Sequence, residues 1–583
     1  MYNVDTLKKV EVGSMWRIPY GESNFELIRN KKFLYVDKTH FIEQLESTSK
    51  LIHLRPSRFG KSLFISMLES YYDVASAEKF DELFSGLHVH EHPTQYRNSY
   101  YILRFNFSGI PTQNFEMIMD GFFGKVKSAL ESFISKYNLN IKIDDYKAPA
   151  GAINAVLTAV SNLNLANKVY ILIDEYDHFT NAVLNHGLDD FMALVERGGI
   201  VRSFYEVIKE KSETGIVERF FITGVMSVSL DSMTSGFNVG TNITTENRFA
   251  DMMGFTAAEV KCILGKTLKN SLKMGIELTD AEQDEVYGIW KENYNGYLFS
   301  LRSELKVFNS TLIVYYLQKY VEEKAHPESL LDPNLKQSGT TIKNLADLKN
   351  REANYKVVEE IVKEKVVSGK LSTFIDLDEK YERNDFITLL FNIGLLTIKE
   401  AGIRTRFEMP NKIVESIYLQ YLSELEQKRL GCKIDVLEQE LALDELAEDG
   451  KIDKLTTVVS EFLQQTSGRN KIKFDEKYIK LIYSFIMSST DQYFIYDEYP
   501  ARQGFGDLVA LRTPASYAKY ELLLELKYIK VSATTKSKVE KEFEDGAQQI
   551  ASYMKDKRLT MLPYLKKYVV VFSGFEVARL EEV

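Results

Sequence analysis

Leu51-Ile52-His53-Leu54-Arg55-Pro56-Ser57-Arg58-Phe59-Gly60-Lys61-Ser62-Leu63-Phe64-Ile65-Ser66-Met67-Leu68-Glu69 decides how this chain is read. Leu51 to Leu54 is a short apolar run that suits a buried strand, and Ser62 to Glu69 follows with helical periodicity. Strand, Gly-Lys-Ser turn, helix is the context in which backbone N–H groups at a helix start surround phosphate. Gly60 shapes the turn, Lys61 adds a point charge, and the Ser62 hydroxyl can ligate Mg²⁺. Arg55 stands where such loops usually carry their first glycine, so the loop is degenerate. A Gly-Lys-Ser triplet alone is more often a chance turn, so the reading needs a second element.

Val169-Tyr170-Ile171-Leu172-Ile173-Asp174-Glu175 supplies one: an apolar strand ending in two acids. Asp174 at the strand tip can hold a Mg²⁺ hydration shell, and Glu175 can orient or deprotonate the attacking water. The bland alternative is a buried strand stopped by a solvated acidic turn, since Asp177 lies nearby. Arg219-Phe220-Phe221-Ile222-Thr223-Gly224 is a further strand, whose Thr223 either senses a γ-phosphate or bonds to backbone. Arg58, Arg219 and Arg248 are alternative charge stabilisers, between which the sequence does not choose. An arginine supplied by a second copy fits the same chemistry, so an oligomer is compatible with the chain.

A second constellation lies near the C-terminus. Tyr520 to Ile529 is a Leu-rich strand in which Leu522, Leu524, Leu526 and Tyr528 face one way, and Glu521, Leu523, Glu525 and Lys527 the other. Gly504-Phe505-Gly506-Asp507-Leu508-Val509-Ala510-Leu511 makes a second strand, and Thr513-Pro514-Ala515-Ser516 a turn between them. Pairing these strands brings Asp507 and Glu525 close enough to share a divalent ion. Two carboxylates suit Mg²⁺, with Mn²⁺ an alternative, and a bound cation neutralises charge at a phosphodiester. Lys527 can orient the nucleophile or stabilise the developing charge. Glu-x-Lys by itself is common on solvated edge strands; the Gly-Phe-Gly-Asp strand and the apolar opposite face tip the balance.

Ile18-Pro19-Tyr20-Gly21, Tyr35-Val36-Asp37-Lys38-Thr39, the Arg55–Ser62 loop and Ile173-Asp174-Glu175-Tyr176-Asp177 together resemble the predicted AAA-ATPase-like family. Its members commonly carry a C-terminal PD-(D/E)XK nuclease-superfamily domain. Asn293-Tyr294-Asn295-Gly296-Tyr297, Phe308-Asn309-Ser310 and Met409-Pro410-Asn411 are similar to later segments of the same family. The resemblance implies a P-loop domain in which Arg55 is a family feature, with Arg58, Gly60, Lys61, Ser62, Asp174 and Thr223 about the nucleotide. It also implies a helix-borne acid at Glu476, an acid before the Asp strand at Glu498, with Asp497 competing, and a helix across the site carrying Gln549. The sequence alone leaves Gln549 as readily a plain surface residue.

The remaining chain bounds the organisation. At 583 residues it exceeds what one core supports. The expected fold is α/β and multidomain. A P-loop parallel sheet occupies 1–254, a helical lid-like region 255–345, and a helical region 346–425 reads as a winged-helix element or a scaffold with a small hairpin. A solvated acidic connector over 426–470, ending at Ser467-Gly468-Arg469-Asn470, precedes a PD-(D/E)XK-type mixed sheet with flanking helices at 471–583. A net charge of −10 excludes a surface coated in positive potential, so nucleic acid must meet a local patch. Lys530, Lys536, Lys538, Lys541, Lys555, Lys557 and Arg558 form a candidate strip interrupted by acids. Cys262 and Cys432 are too far apart to form a ligand cluster, and neither a secretory signal nor a membrane span is evident, so the cytoplasm is expected. The expected function is an ATP-binding, hydrolysing protein that regulates a metal-dependent nuclease acting on DNA or RNA. The rival is a nucleotide-dependent signalling or assembly switch whose C-terminal domain binds nucleic acid or a partner without cleaving.

Overall fold

Five strands form the first sheet: β1 (Lys50–Leu54), β2 (Tyr100–Asn106), β3 (Lys168–Asp174), β4 (Val217–Gly224) and β5 (Thr241–Asn242). Their order is β2-β3-β4-β1-β5 and every pairing is parallel. Parallel sheets are covered on both faces, which is why β3 is buried from Val169 to Asp174 and reads as one apolar run. The structure, a computed structural model, describes residues 17–583 apart from 112, 164–166, 178–198, 227–238, 271–277, 333–337, 348, 373–374, 376–380, 467–474 and 502–503. It divides into two compact units, Met1–Val321 with Asn344–Asn411, and Glu322–Lys343 with Lys412–Val583.

Helix α1 (Phe25–Asn30) precedes β1, and α2 (Lys61–Tyr72) follows the loop after it. Cross-strand register sorts the side chains by face. Arg104, Leu172 and Phe221 are aligned, and they meet α2 through an Arg104–Glu69 ion pair and a Phe221–Phe64 ring contact. The opposite face carries Phe105, Ile173 and Ile222. Phe105 packs there on Phe204 of α5 (Ile200–Glu213), alongside α3 (Phe115–Lys136) and α4 (Pro149–Asn162). Asp174, His53 and Thr223 share the parity of the first set and therefore stand on the α2 face.

Further along come the helices α6 (Ala257–Asn270), α7 (Asp280–Asn293), α8 (Ser310–Glu323), α9 (Arg351–Glu364) and α10 (Arg383–Asn392). Thr256 opens α6 with a capping exchange, its hydroxyl accepting from Glu259 N–H while Glu259 takes the Thr256 N–H. After α10 comes the hairpin of β7 (Thr397–Glu400) and β8 (Thr405–Glu408), and β6 (Val367–Gly369) adds a third antiparallel strand.

The second unit carries a mixed sheet in the order β13-β12-β11-β10-β9. Its strands are β9 (Tyr493–Ala501), β10 (Gly504–Arg512), β11 (Glu521–Ile529), β12 (Leu565–Ser573) and β13 (Glu576–Glu582), with only β11 and β12 parallel. Helices α11 (Lys412–Leu430), α12 (Val436–Asp449), α13 (Asp453–Thr466) and α14 (Glu476–Met487) precede it. The acidic stretch is not wholly solvated. Ala442, Leu443, Leu446, Leu455, Val459, Phe462 and Leu463 are buried, at helical spacing between the acids. Ala447 O accepts from Lys519 N–H and Ser460 donates to Phe575 O, so α12 and α13 pack with the sheet. The boundary expected at 467–470 lies outside the described residues. Helix α15 (Lys536–Tyr553) crosses the other face, with Phe543, Ile550 and Tyr553 in one core with Val509, Leu523, Val569 and Val571. A short α16 (Lys557–Thr560) follows. Among the described residues, no helix is long and apolar enough to cross a membrane.

Candidate nucleotide and metal centres

Because β4 lies between β1 and β3, the loop after β1 and the acidic tip of β3 flank the end of β4. This is the crevice at strand C-termini where open α/β sheets bind ligands. Gly60 has φ +88° and caps α2, leaving the first N–H groups of that helix directed out of the loop. Arg58 and Glu175, on opposite sides of the crevice, both hold left-handed φ of +69° and +50°. Such conformations cost energy for residues with a Cβ and cluster where geometry is imposed for function.

Lys61 is nearly buried, and its Nζ donates to Arg55 O at 3.1 Å and Pro56 O at 3.0 Å. Burial pulls its pKa down while Asp177, Asp174 and Glu175 push it back up. Asp174 is completely buried and neither carboxylate oxygen has a hydrogen bond of full geometry. Burial pushes its pKa up, against the Ser62 hydroxyl and the Lys61 ammonium. A buried carboxylate facing a serine hydroxyl and a lysine fits a small divalent cation shared with phosphate oxygens. Glu175 is partly exposed one residue further on.

Other expected residues sit differently. Thr223 is fully buried and donates to His53 O at 2.7 Å, so its hydroxyl proton tethers β4 to β1. Arg219 lies in the first half of β4 and donates to Glu46 O, Thr48 O and Tyr100 Oη, away from the loop end of the sheet. That placement removes it from the candidate charge stabilisers. Arg248 is engaged with Glu246 and Ser47. Arg58 is within the loop itself.

Arg55 is no phosphate ligand here. Its guanidinium is buried, donates to Leu54 O, Thr244 O and Phe249 O, and lies 4.3 Å from the Phe299 ring centroid. Burial pushes its pKa down to about 9. The later family-like segments form the shell around the loop. Thr311 donates through N and Oγ1 to Arg58 O, and Ser310 Oγ reaches the same oxygen. Gly254 N donates to Phe59 O, whose ring meets Tyr297 and Phe299 edge-on. A Cβ on Gly394 would stand 2.9 Å from Pro56, and one on Gly296 only 1.9 Å from Pro410 O. Asn411 Nδ2 donates to Asn295 O. The sequence offered Asp177 only as part of a solvated acidic turn. It is buried and accepts from Val225 and Met226 N–H, fixing the turn after β4.

In the second unit, antiparallel β10 and β11 pair Leu508 with Leu524 and Val509 with Leu523. The next step of that register sets Asp507 across from Glu525, on the face covered by α15. Asp507 Oδ2 accepts from Leu526 N–H at 2.9 Å. Glu525 is 1% exposed; Lys527 Nζ donates to its Oε1 at 2.7 Å, and its Oε2 has no hydrogen bond of full geometry. Burial first, then the Asp507 charge, push Glu525 up to about 7 against the opposing Lys527. For Lys527, burial is outweighed by Glu525, Glu476 and Asp507, and its pKa rises.

Glu476 opens α14, behind an Asp475 cap that accepts from Tyr478 N–H. Burial and then Asp507 raise its pKa, so it belongs to the same electrostatic group. Asp497 pairs with Leu508 and so stands on the opposite face from Asp507, which removes it as a competitor. The side chain of Glu498 lies outside the described residues. Gln549 is exposed on α15. Tyr553, read from the sequence only as part of the helix across the site, is 4% exposed and its hydroxyl faces Glu525; burial, then Glu525 and Asp507, raise its pKa. Its helical phase with Gly546 and Ile550 was the available signal. Among the described residues no three His, Cys, Asp or Glu side chains converge as a ready metal cluster. Asp507 and Glu525 thus fit a two-carboxylate centre completed by water and phosphate oxygens.

Comparison with known proteins agrees with this division. Residues 19–234 match the family described as Predicted AAA-ATPase, and residues 474–582 match the PD-(D/E)XK nuclease superfamily. An Azotobacter chroococcum mcd 1 protein, described as an uncharacterized protein in the vnfD 5' region, is 27% identical over 427 residues, spanning 70% of this chain and 71% of that protein. This chain carries an AAA-ATPase-like domain followed by a PD-(D/E)XK nuclease superfamily domain.

Proposed function

We propose that the chain is a cytoplasmic ATP-binding and ATP-hydrolysing protein whose nucleotide state regulates metal-dependent cleavage of nucleic acid by its C-terminal domain. The observation that supports it most is the repeated pattern of a buried, incompletely bonded carboxylate beside a lysine, at Asp174 with Lys61 and at Glu525 with Lys527. In this reading 1–254 is the nucleotide domain, 255–345 a lid, 346–425 and 426–470 the intervening helical regions, and 471–583 the nuclease.

A divalent cation, when bound at either centre, supplies charge neutralisation on phosphate and lowers the pKa of water. At the first centre Ser62 and Asp174 hold it, while Gly60 and the N–H groups of the α2 start receive the phosphates. Lys61 leaves the carbonyls of Arg55 and Pro56 for the phosphate oxygens. Arg58 adds charge from the loop, Thr223 fixes β4 beside it, and Glu175 orients and takes a proton from water. At the second centre Asp507 and Glu525 are the ligands, Glu476 extends the acidic group, and Lys527 orients the nucleophile.

The test measures cleavage of single- and double-stranded DNA and RNA with Mg²⁺ or Mn²⁺, with and without ATP, for the wild type, Lys61→Ala, Asp507→Ala and Glu525→Ala. Loss of cleavage in both acid variants, and loss of ATP control in Lys61→Ala, are expected. Cleavage unchanged by both acid variants overturns Asp507 and Glu525 as the nuclease centre, and no metal-dependent cleavage by the wild type leaves the non-cleaving switch.

A further inference from the structure

Both centres described above rest on carboxylates and lysines, whereas the chain gathers imidazoles elsewhere. Leu87-His88-Val89-His90-Glu91-His92 holds three of the eight histidines, and short histidine-rich tracts are a metal-binding composition. His88–Glu91 is a single helical turn, closed by His92 N–H on His88 O at 3.0 Å. That turn brings His88 and His92 together. Their ring centroids stand 4.9 Å apart, the planes tilted by 42°. Two imidazoles that share a tetrahedral ion, each nitrogen about 2.0–2.1 Å from it, hold their centroids about 5 Å apart. Among the described residues neither ring has a hydrogen bond; His92 is exposed and His88 partly so. His90 is engaged otherwise, stacked on Phe80 and 3.2 Å from Asp81 Oδ1.

A second segment fixes the turn from outside. Asp37 Oδ2 accepts from His88 N–H at 2.7 Å, and Thr39 Oγ1 accepts from Val89 N–H at 3.1 Å. Asp37 Oδ1 accepts in turn from the Thr39 N–H and hydroxyl, so this segment grips the turn as one piece. His40 follows it and stands edge-on to His88, the ring centroids 6.1 Å apart and the planes at 83°. It walls one side of His88 and so limits how that ring turns. Burial, then Lys38, hold His40 below the ordinary histidine range, with Asp37 and Asp251 opposing them. A neutral ring at that place does not repel a cation.

We propose that His88 and His92 form a transition-metal site that takes Zn²⁺, its coordination completed by water, with His40 as a positioning residue behind His88. The site shares no residue with the two carboxylate centres. Imidazole nitrogens suit Zn²⁺, whereas Mg²⁺ takes oxygen ligands, so excess Mg²⁺ leaves this pair to Zn²⁺. The bound ion ties the two ends of the turn together, and it stabilises the fold that presents them.

The experiment titrates Zn²⁺ calorimetrically into the full chain, without an affinity tag and under excess Mg²⁺. The wild type should show a binding event that His88→Ala and His92→Ala lose and His90→Ala keeps. His40→Ala should weaken it by about 10–100-fold, as a supporting residue does. Zn²⁺ should raise the melting temperature of the wild type and leave that of His92→Ala unchanged. With Cu²⁺ as the probe, the paramagnetic resonance spectrum should show nitrogen hyperfine splitting that His92→Ala loses. No Zn²⁺ event in the wild type, or one that either folded variant of the pair retains, overturns the site and leaves a plain contact between rings. Loss of the event in folded His90→Ala overturns the pairing of His88 with His92. Because His92 is exposed, its alanine variant keeps the test decisive if His88→Ala fails to fold.

Discussion

Lys527 Nζ stands 2.7 Å from Glu525 Oε1, yet Glu525 is still pushed up to about 7. An ammonium that close normally favours the carboxylate. Here burial and the facing Asp507 charge outweigh it. The pair is therefore poised for a second cation rather than satisfied by the first. Below about pH 7 the metal-free carboxyl holds its proton, and a divalent ion must displace it.

Mn²⁺ affinity at this centre should accordingly fall as pH drops through about 7 and level off above it. Binding at pH 6.5 should release protons. Calorimetry in two buffers of different ionisation enthalpy measures that release directly. Affinity constant from pH 6 to 8, with no proton release, refutes the assignment of Glu525 as a ligand.

Gly546 sets how closely α15 approaches this centre. A Cβ there would lie 2.7 Å from Val569 Cγ1, on β12, and 3.5 Å from Glu525 Cγ. Helix propensity alone favours Gly546→Ala by about 1 kcal/mol. Crowding against a fully packed strand costs about 1–3 kcal/mol. The variant should melt lower than the wild type and bind Mn²⁺ more weakly as the helix moves outward. A higher melting temperature shows that the helix and sheet are loosely apposed.

The two sheets were legible because their chemistry sits on short apolar runs. Val169–Asp174 and Leu522–Leu526 carry both the strand signal and the acids, and strand parity alone set Glu525 and Lys527 on one face. The shell was not legible. Gly394 against Pro56, and Gly296 against Pro410, are contacts between segments far apart in the chain, and no local periodicity encodes them. The pairing of Tyr553 with Glu525 was likewise hidden, since the two lie on different elements. Arg219 misled because a strand shows its residues without showing which end meets the loop. The acidic composition of 426–470 hid apolar positions at helical spacing.

Gly296 offers a direct test of that shell. With φ at +101° and only 1.9 Å between an added Cβ and Pro410 O, an alanine must move backbone. Gly296→Ala should destabilise the N-terminal unit by about 3 kcal/mol. Its melting transition, followed with and without Mg²⁺·ATP, should shift down and lose part of its nucleotide response, because Tyr297 packs on Phe59 of the loop. An unaltered transition shows that the 409–411 segment is not part of the loop's support.

Arg55 poses the sharpest question, because a sequence argument and the structure give opposite answers. Glycine is the usual residue at the start of a phosphate loop, so Arg55→Gly looks like a repair. The buried guanidinium instead joins the carbonyls of Leu54, Thr244 and Phe249, and rests on Phe299. Removing it takes a donor from each of these acceptors, of which Phe249 O keeps Met252 N–H, and opens a cavity beneath the loop, at a cost of about 3–5 kcal/mol. Arg55→Lys should recover little, since one ammonium cannot span three carbonyls as the planar fork does. Both variants should melt lower and bind Mg²⁺·ATP more weakly than the wild type. A glycine variant as stable as the wild type, or tighter for nucleotide, makes Arg55 a dispensable substitution rather than the bolt that holds this loop.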